Sequence, residues 1–388
     1  MYGFVIKALL KIIERCQKAF SGLALKKVIL FRSIPDFSES TVEIFKEMLN
    51  RDELREYKLI WFCDNPKIQH KLIKSNVVIK KHIDNPFFRL RHLFCESTAI
   101  ATVSSHDLYG NIFNKKQMRV AVEHGSFGIK RAVGRVLYSD NSTHRIFAMG
   151  VSHGNFYVCG LPRNDRIFDE PGVTKKALGM DVYNKVVIWM PTFKHYKDRG
   201  VMRQQRNDYQ VEKAYDITLQ EDTAFFDAVN HTLNKHNMLL YIKYHPSQNM
   251  DYVISSETTN IKLITDAALL KAEIPLYSFL GATDALISDF SSVVYDYMLV
   301  DKPIGFDITD LELYIQGGTV AVENPLDYMP GEKIQDTASF CDFLEKVALE
   351  ETGFKEERKN MRDRVHVHQD NQSAKRVVDL ILSQMGNI

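Results

Sequence analysis

Short runs rich in Val, Ile, Leu and aromatic residues recur along the whole chain, and amphipathic stretches separate them. Strands spaced by helices pair in parallel, and a parallel sheet has to be covered on both faces. The first-half runs are "KVILF" (27–31), "KLIWFC" (58–63), "NVVI" (76–79), "AIATV" (99–103), "RVAV" (119–122) and "FYVCG" (156–160). The second half carries "KVVIWM" (185–190), "MLLYIKY" (238–244), "IKLI" (261–264), "DALI" (284–287) and "PIGF" (303–306). "STVEIFKEMLN" and "TAFFDAVNHTLNKH" read as helices, and the polar "DEPGVTKKALGMD" divides the two sets. The expected fold is α/β, with two doubly wound, Rossmann-like domains facing a cleft, over 26–170 and 171–365. An amphipathic helix over 1–25 precedes them and a helical segment over 366–388 follows. Neither GxGxxG nor GxxxxGK[ST] occurs.

Composition removes several classes of function. A net charge of +1 implies no nucleic-acid partner, so any electrostatic attraction must come from local patches. The five cysteines are scattered without a CxxC pair, which argues against a zinc site or disulfide framework and fits a reducing cytoplasm. No apolar run approaches the ~20 residues of a membrane-spanning helix. The N-terminal "MYGFVIKALLKIIERCQKAFSGLALKK" sets Lys7, Lys11 and Lys18 beside a broad apolar face. That pattern suits a helix lying on an anionic membrane surface, and equally one packed on its own domain. "IKKHIDNPFFRLRHLF" (79–94) interleaves basic and aromatic residues in the same way.

Residues with chemical potential cluster after the strands, where ligands of open α/β sheets bind. "SDFSSVVYDYMLVDKPIGFD" places Ser288, Asp289, Ser291 and Ser292 between a buried strand and a helix start. Such a start offers unpartnered N–H groups and a positive dipole end to an anion, although an ordinary N-cap has the same residues. "MPTFKHYK" adds Thr192 and Lys194, and "KYHP" adds Lys243 and His245, so cations from two strand ends converge on the same region. Fixed cations and helix N–H groups can hold a diphosphate without a metal. "EHGSFGIK" puts Glu123, His124, Gly125 and Lys130 after another strand, and "GLPRND" reads as a rigid turn displaying Arg163. Taken alone, each of these last two reads first as an ordinary loop. "HVHQD" (366–370) lies in a polar stretch; no metal site and no cofactor are expected.

The ordered set "HGSFGIK", "GLPRND", "MPTFK", "KYHP", "SDFSSVVYDYMLVDKPIGFD" and "QDNQSAKRV" resembles the CDP-glycerol glycerophosphotransferase family of teichoic acid primases, polymerases and related capsule polymerases. The resemblance runs from about residue 97 to 377, and the serine block is its most specific element. It implies a GT-B architecture with an acceptor domain first and a CDP-polyol domain second. It implies His124 as catalytic base, His245 as a second essential histidine on the donor diphosphate, and Ser291, Ser292 and Asp296 as the donor block. Arg163 matches the arginine of the family's "PRND". It further implies peripheral attachment to the cytoplasmic face of a bacterial membrane. The chain departs from the family pattern in four ways: Glu123 replaces a tryptophan, "SFG" lacks a proline, Lys194 stands where arginine is common, and the segment between His124 and "GLPRND" is short.

The expected reaction is transfer of glycerol phosphate from CDP-glycerol to a hydroxyl of a lipid-linked glycan or polyol-phosphate acceptor, with CMP leaving. Neutral histidine, with a pKa near ~6.5, suits His124 as the base. The sequence leaves open CDP-ribitol as donor, a GT-B glycosyltransferase or epimerase using a UDP-sugar, and an inactive membrane-bound scaffold.

Overall fold

The alternation of apolar runs resolves into two parallel sheets. The computed structural model describes residues 15, 19, 22–34, 36–64, 75–81, 94–105, 114, 116–122, 143–147, 156–191, 195–196, 210–211, 223–243, 259–316 and 322–386. By contacts the chain forms two units, passing from the first to the second at Asp165–Arg166 and returning to the first at Val365–His366.

The first unit holds β1 (Lys26–Arg32), α1 (Glu39–Leu49), β2 (Lys58–Cys63), β3 (Val77–Lys81), β4 (Ala99–Ser105), β5 (Met118–Val122), β6 (Thr143–Phe147) and β7 (Phe156–Val158). Its strand order is β3-β2-β1-β4-β5-β6-β7, and every pair is parallel. The centres of β1, β2, β4 and β5 are buried, as their near-continuous apolar runs require of a sheet covered on both faces. Phe31, Phe45 and Trp61 meet through ring contacts in its core, with centroids 5.1 to 5.6 Å apart. The segment "THRIF" escaped the strand reading because its polar residues break the apolar run, yet it pairs between β5 and β7.

The second unit contains α2 (Pro171–Ala177), β8 (Lys185–Met190), α3 (Thr223–Lys235), β9 (Met238–Ile242), β10 (Ile261–Leu263), α4 (Asp266–Lys271) and α5 (Leu276–Ala282). It continues with β11 (Ala285–Ser288), α6 (Val293–Tyr297), β12 (Ile304–Asp307), α7 (Leu311–Gln316), β13 (Glu332–Ile334), α8 (Thr337–Leu349) and α9 (Lys355–Val365). Its sheet runs β10-β9-β8-β11-β12-β13, again parallel throughout. The polar divider "DEPGVTKKALGMD" contributes α2, with Pro171 in its first turn and the Glu170 carboxylate accepting from the Gly172 N–H. β13 was missed because its three residues, Glu-Lys-Ile, carry no apolar pattern; pairing with β12 makes it a strand. A two-residue parallel pair, His195–Tyr196 with Gln210–Val211, lies outside both sheets.

The last helix, α10 (Ser373–Met385), belongs to the first unit. Val377, Val378, Ile381 and Met385 enter its core, and Arg51 on the loop after α1 holds Asp379 at 2.7 Å. The segment beyond residue 366 is therefore packed against the N-terminal sheet.

Candidate active site

In the second sheet, β8 is laid first, β9 and β10 extend from one side of it, and β11 returns to the other. The loops leaving the carboxyl ends of β8 and β11 therefore diverge and open a crevice at this switch point. Pro191 follows β8 there, and Asp289, Phe290, Ser291 and Ser292 follow β11. Lys243 follows β9 on the flank, its N–H donating to the Trp189 carbonyl of β8 at 2.9 Å.

The serine turn is clamped on both sides. Before it, the fully buried Ser288 donates its hydroxyl to the Met190 carbonyl at 2.6 Å, tying the end of β11 to the end of β8. Beyond it, the buried Asp296 carboxylate accepts the Tyr277 hydroxyl at 2.7 Å, tying α6 to α5. Between the clamps the helical bonds begin at once, with the Tyr295 N–H on the Ser292 carbonyl at 3.1 Å. Ser292 has helical dihedrals (φ −65°, ψ −15°), and its side chain makes no capping hydrogen bond. The plain N-cap reading of this residue is not what the geometry shows. Ser291 and Ser292 stay half-buried at the mouth of the crevice, while Asp289 and Phe290 are buried.

The rest of the block builds scaffold at the other end of the strands. The Lys302 ammonium donates to the Gly281 and Thr283 carbonyls at 2.6 and 2.7 Å, closing the C-terminus of α5. Burial lowers its pKa to about 8, and the carboxylate of Asp284 works against that shift. Tyr297 shares a 3.0 Å hydroxyl contact with Thr283, and burial pushes its phenol well up. "SDFSS" thus lies at the carboxyl ends of β8 and β11, and "DKP" secures the frame at the opposite end of the sheet.

Arg163 is not displayed on a turn. It lies in the first unit, 5% exposed, within the 3₁₀ helix Pro162–Phe168, and its N–H reaches the Ser40 hydroxyl at 3.3 Å. In the same motif Asp165 accepts the Ser373 and Ala374 N–H groups at 2.9 and 2.8 Å, capping the start of α10. Burial raises the Asp165 carboxyl pKa against the pull of those two donors. Gly160 adopts φ +79°, and a Cβ there would meet the Ser373 hydroxyl at 2.4 Å. "GLPRND" and "QDNQSAKRV" therefore meet each other, and one role of both is to dock α10. His368 meets the Val158 carbonyl at 3.1 Å in that region.

Lys243 is buried, with its ammonium 2.9 Å from Asp266. Asp266 and Tyr277 both went unread in the sequence. "TDAALLK" signals a capped helix start, but nothing local says that its acid meets a lysine more than twenty residues earlier. Glu123, His124, Gly125, Lys130, Thr192, Lys194 and His245 lie outside the described residues, as do Lys7, Lys11 and Lys18. Among the described residues, no group of three or more His, Cys, Asp or Glu could hold a metal, and no helix is long and apolar enough to cross a membrane.

Residues 132–383, more than half of the chain, match the family described as CDP-Glycerol:Poly(glycerophosphate) glycerophosphotransferase. The chain belongs to that family. It is 26% identical over 202 residues to the teichoic acid glycerol-phosphate primase of Bacillus subtilis (strain 168), covering 51% of this chain and 45% of that one. It is 24% identical over 359 residues to the teichoic acid ribitol-phosphate polymerase TarL of Staphylococcus aureus, covering 84% and 58%. The matched part spans about half the length of these curated relatives. Among solved structures, the wall teichoic acid polymerase TagF in a form soaked with CDPG superposes with a TM-score of 0.71 at 18% identity, over 100% of this chain and 98% of that one. A putative UDP-N-acetylglucosamine 2-epimerase from Listeria monocytogenes gives 0.52 at 11% identity, over 94% and 98%. The fold of this glycerophosphotransferase-family chain is GT-B, built from two parallel α/β units.

Proposed function

We propose that this chain transfers glycerol phosphate from CDP-glycerol to a hydroxyl of a lipid-linked glycan or polyol-phosphate acceptor, releasing CMP, in the synthesis of a teichoic acid or capsule-type polymer. The observation that carries the reading is the serine turn at the switch point. It is clamped by Ser288 and Asp296, while the Ser292 side chain is not used to cap the helix. A helix start held between two clamps at the carboxyl end of a parallel sheet suits an anionic diphosphate. Family membership and the TagF fold support the same donor.

In this reading the acceptor oxygen attacks the phosphorus that bears the glycerol, and the bond from that phosphorus to the CMP oxygen breaks. His124 takes the hydroxyl proton. The serine turn, His245 and Lys243 hold the charge that gathers on the departing phosphate, so catalysis rests on positioning and electrostatics. Thr192, Lys194, Ser288, Asp289 and Asp296 complete the donor set, the last three by shaping the turn; Arg163, buried in the first unit, is left out of it. Glu123, Gly125 and Lys130 belong to the acceptor side. The helix over 1–25 and the basic-aromatic stretch 79–94 hold the enzyme on the inner face of a bacterial membrane.

CDP-ribitol is the second reading, favoured by the longer stretch shared with TarL than with the primase. The test supplies CDP-glycerol, CDP-ribitol or a UDP-sugar with a lipid-linked disaccharide and follows CMP or UDP release, with mass spectrometry of the acceptor. CMP release with gain of one or more glycerol phosphates supports the first reading, and gain of ribitol phosphate the second. UDP release, or nucleotide binding without turnover, overturns both.

A further inference from the structure

Lys243 and Asp266 form an ion pair whose two halves sit in very different surroundings. The lysine side chain is 4% exposed and the aspartate 54%. Lys243 extends β9 by one residue at the flank of the crevice and is held there through its own N–H. Asp266 is the first residue of α4, whose start Thr265 caps by accepting the Ala268 N–H at 3.1 Å. A buried ammonium without a counter-charge is strongly unfavourable, so Asp266 at 2.9 Å partners Lys243 and fixes where its ammonium points. The acid needs the lysine less, since it is half in water and favoured at a helix N-terminus. A diphosphate arriving beside Lys243 supplies a second counter-charge, and the carboxylate then opposes it.

We propose that Asp266 is a positioning residue that sets the charge of the donor pocket. It orients Lys243 and half-neutralises it, so that the pocket takes the diphosphate donor without retaining the CMP product. This rests on the reading of Lys243 as a donor-binding residue. A purely structural ion pair and this counterweight predict opposite signs. Loss of the carboxylate loosens nucleotide binding if it only fixes the lysine, and tightens it if it opposes the ligand.

The experiment measures CMP and CDP-glycerol affinity calorimetrically at two salt concentrations for the full chain and for Asp266→Asn, Asp266→Glu and Lys243→Met. Asp266→Asn should bind CMP about two- to fivefold tighter, the size expected for a half-exposed charge. It should also show a steeper salt dependence and a lower KM with no gain in kcat. Asp266→Glu should return to the parent's values, and Lys243→Met should bind more weakly. Unchanged or weaker binding by Asp266→Asn, with Lys243→Met still weakened, overturns the counterweight and leaves the donor site standing. Unchanged binding by Lys243→Met removes Lys243 from the donor site, and both readings fall. If Asp266→Asn does not fold, Asp266→Ser keeps a polar helix start and carries the same expectation.

Discussion

Replacing Ser292 with Asp separates a ligand-binding helix start from an ordinary one, because the two give opposite effects. In the native turn the Ser292 side chain makes no capping bond, so its loss removes no capping contact from the fold. An Asp at that position lies at a helix N-terminus, where a carboxylate gains about 0.3–1 kcal/mol from the dipole. Melting temperature should therefore hold or rise slightly. The bound donor should respond the other way. At ~5 Å from a phosphate oxygen, with an effective dielectric of ~20–40, one unit charge repels another by about 1.5–3 kcal/mol. Ser292 is half-buried, which points to the lower part of that range. About 2 kcal/mol corresponds to a roughly 30-fold rise in Kd for CDP-glycerol. The assay pairs calorimetric titration with a thermal melt, and uses Ser292→Asn as the neutral control of the same shape. An unchanged Kd in folded Ser292→Asp would return the motif to a plain helix start. An equal loss in Ser292→Asn would attribute the effect to bulk and refute the electrostatic argument.

His124→Ala should lower turnover by about 10²-fold or more with donor affinity nearly unchanged, as loss of a general base requires; His245→Ala should weaken donor binding as well, and CMP release intact in both would misplace the site. Lys302, at about 8 in the fold against about 10.5 unfolded, binds its proton more weakly when folded, so its contribution to stability is complete above the unfolded value and is lost as pH falls through 8. Urea midpoints should accordingly rise between about pH 8 and 10.5 in the parent, and that slope should shrink in Lys302→Met; equal slopes would show that another group carries it. Gly160→Ala combines a left-handed backbone with a 2.4 Å approach to Ser373, and should cost on the order of 1–3 kcal/mol by urea unfolding. Adding Ser373→Ala should relieve only part of that cost, because the φ of +79° remains.

Much of the frame was legible because a fully buried parallel strand leaves so plain a trace. "KVVIWM" and "KLIWFC" had nowhere to go but a sheet interior, and both strands match their runs residue for residue. The same logic fails where neighbours make the strand, as at Thr143–Phe147 and Glu332–Ile334. Around the site, Ser291 and Ser292 could be read from a strand meeting a helix start, since both halves of that signal are local. The clamps could not, because Tyr277 reaches Asp296 across two elements and Ser288 reaches a carbonyl 98 residues away. Lys302 shares a sequence block with the serines yet closes a helix at the opposite end of the sheet, since sequence adjacency does not reveal which end of a strand a residue occupies. Asp165 and Ser373 stand 208 residues apart, and no period or spacing connects them.

That pairing has a consequence for how the polypeptide is made. Everything from Arg166 to Val365 is continuous, so the second unit can complete its sheet as soon as its own residues have left the ribosome. The first unit cannot. Its seven strands emerge early, but Val377, Val378 and Ile381, which cover one face of them, are synthesised only after the whole second unit. At ~5–20 residues per second, the interval is on the order of ten to forty seconds. For that time the nascent N-terminal sheet carries an uncovered apolar face. A chaperone that shields such surfaces during translation would find its task there, and it would be dismissed when Asp165 receives the first turn of α10.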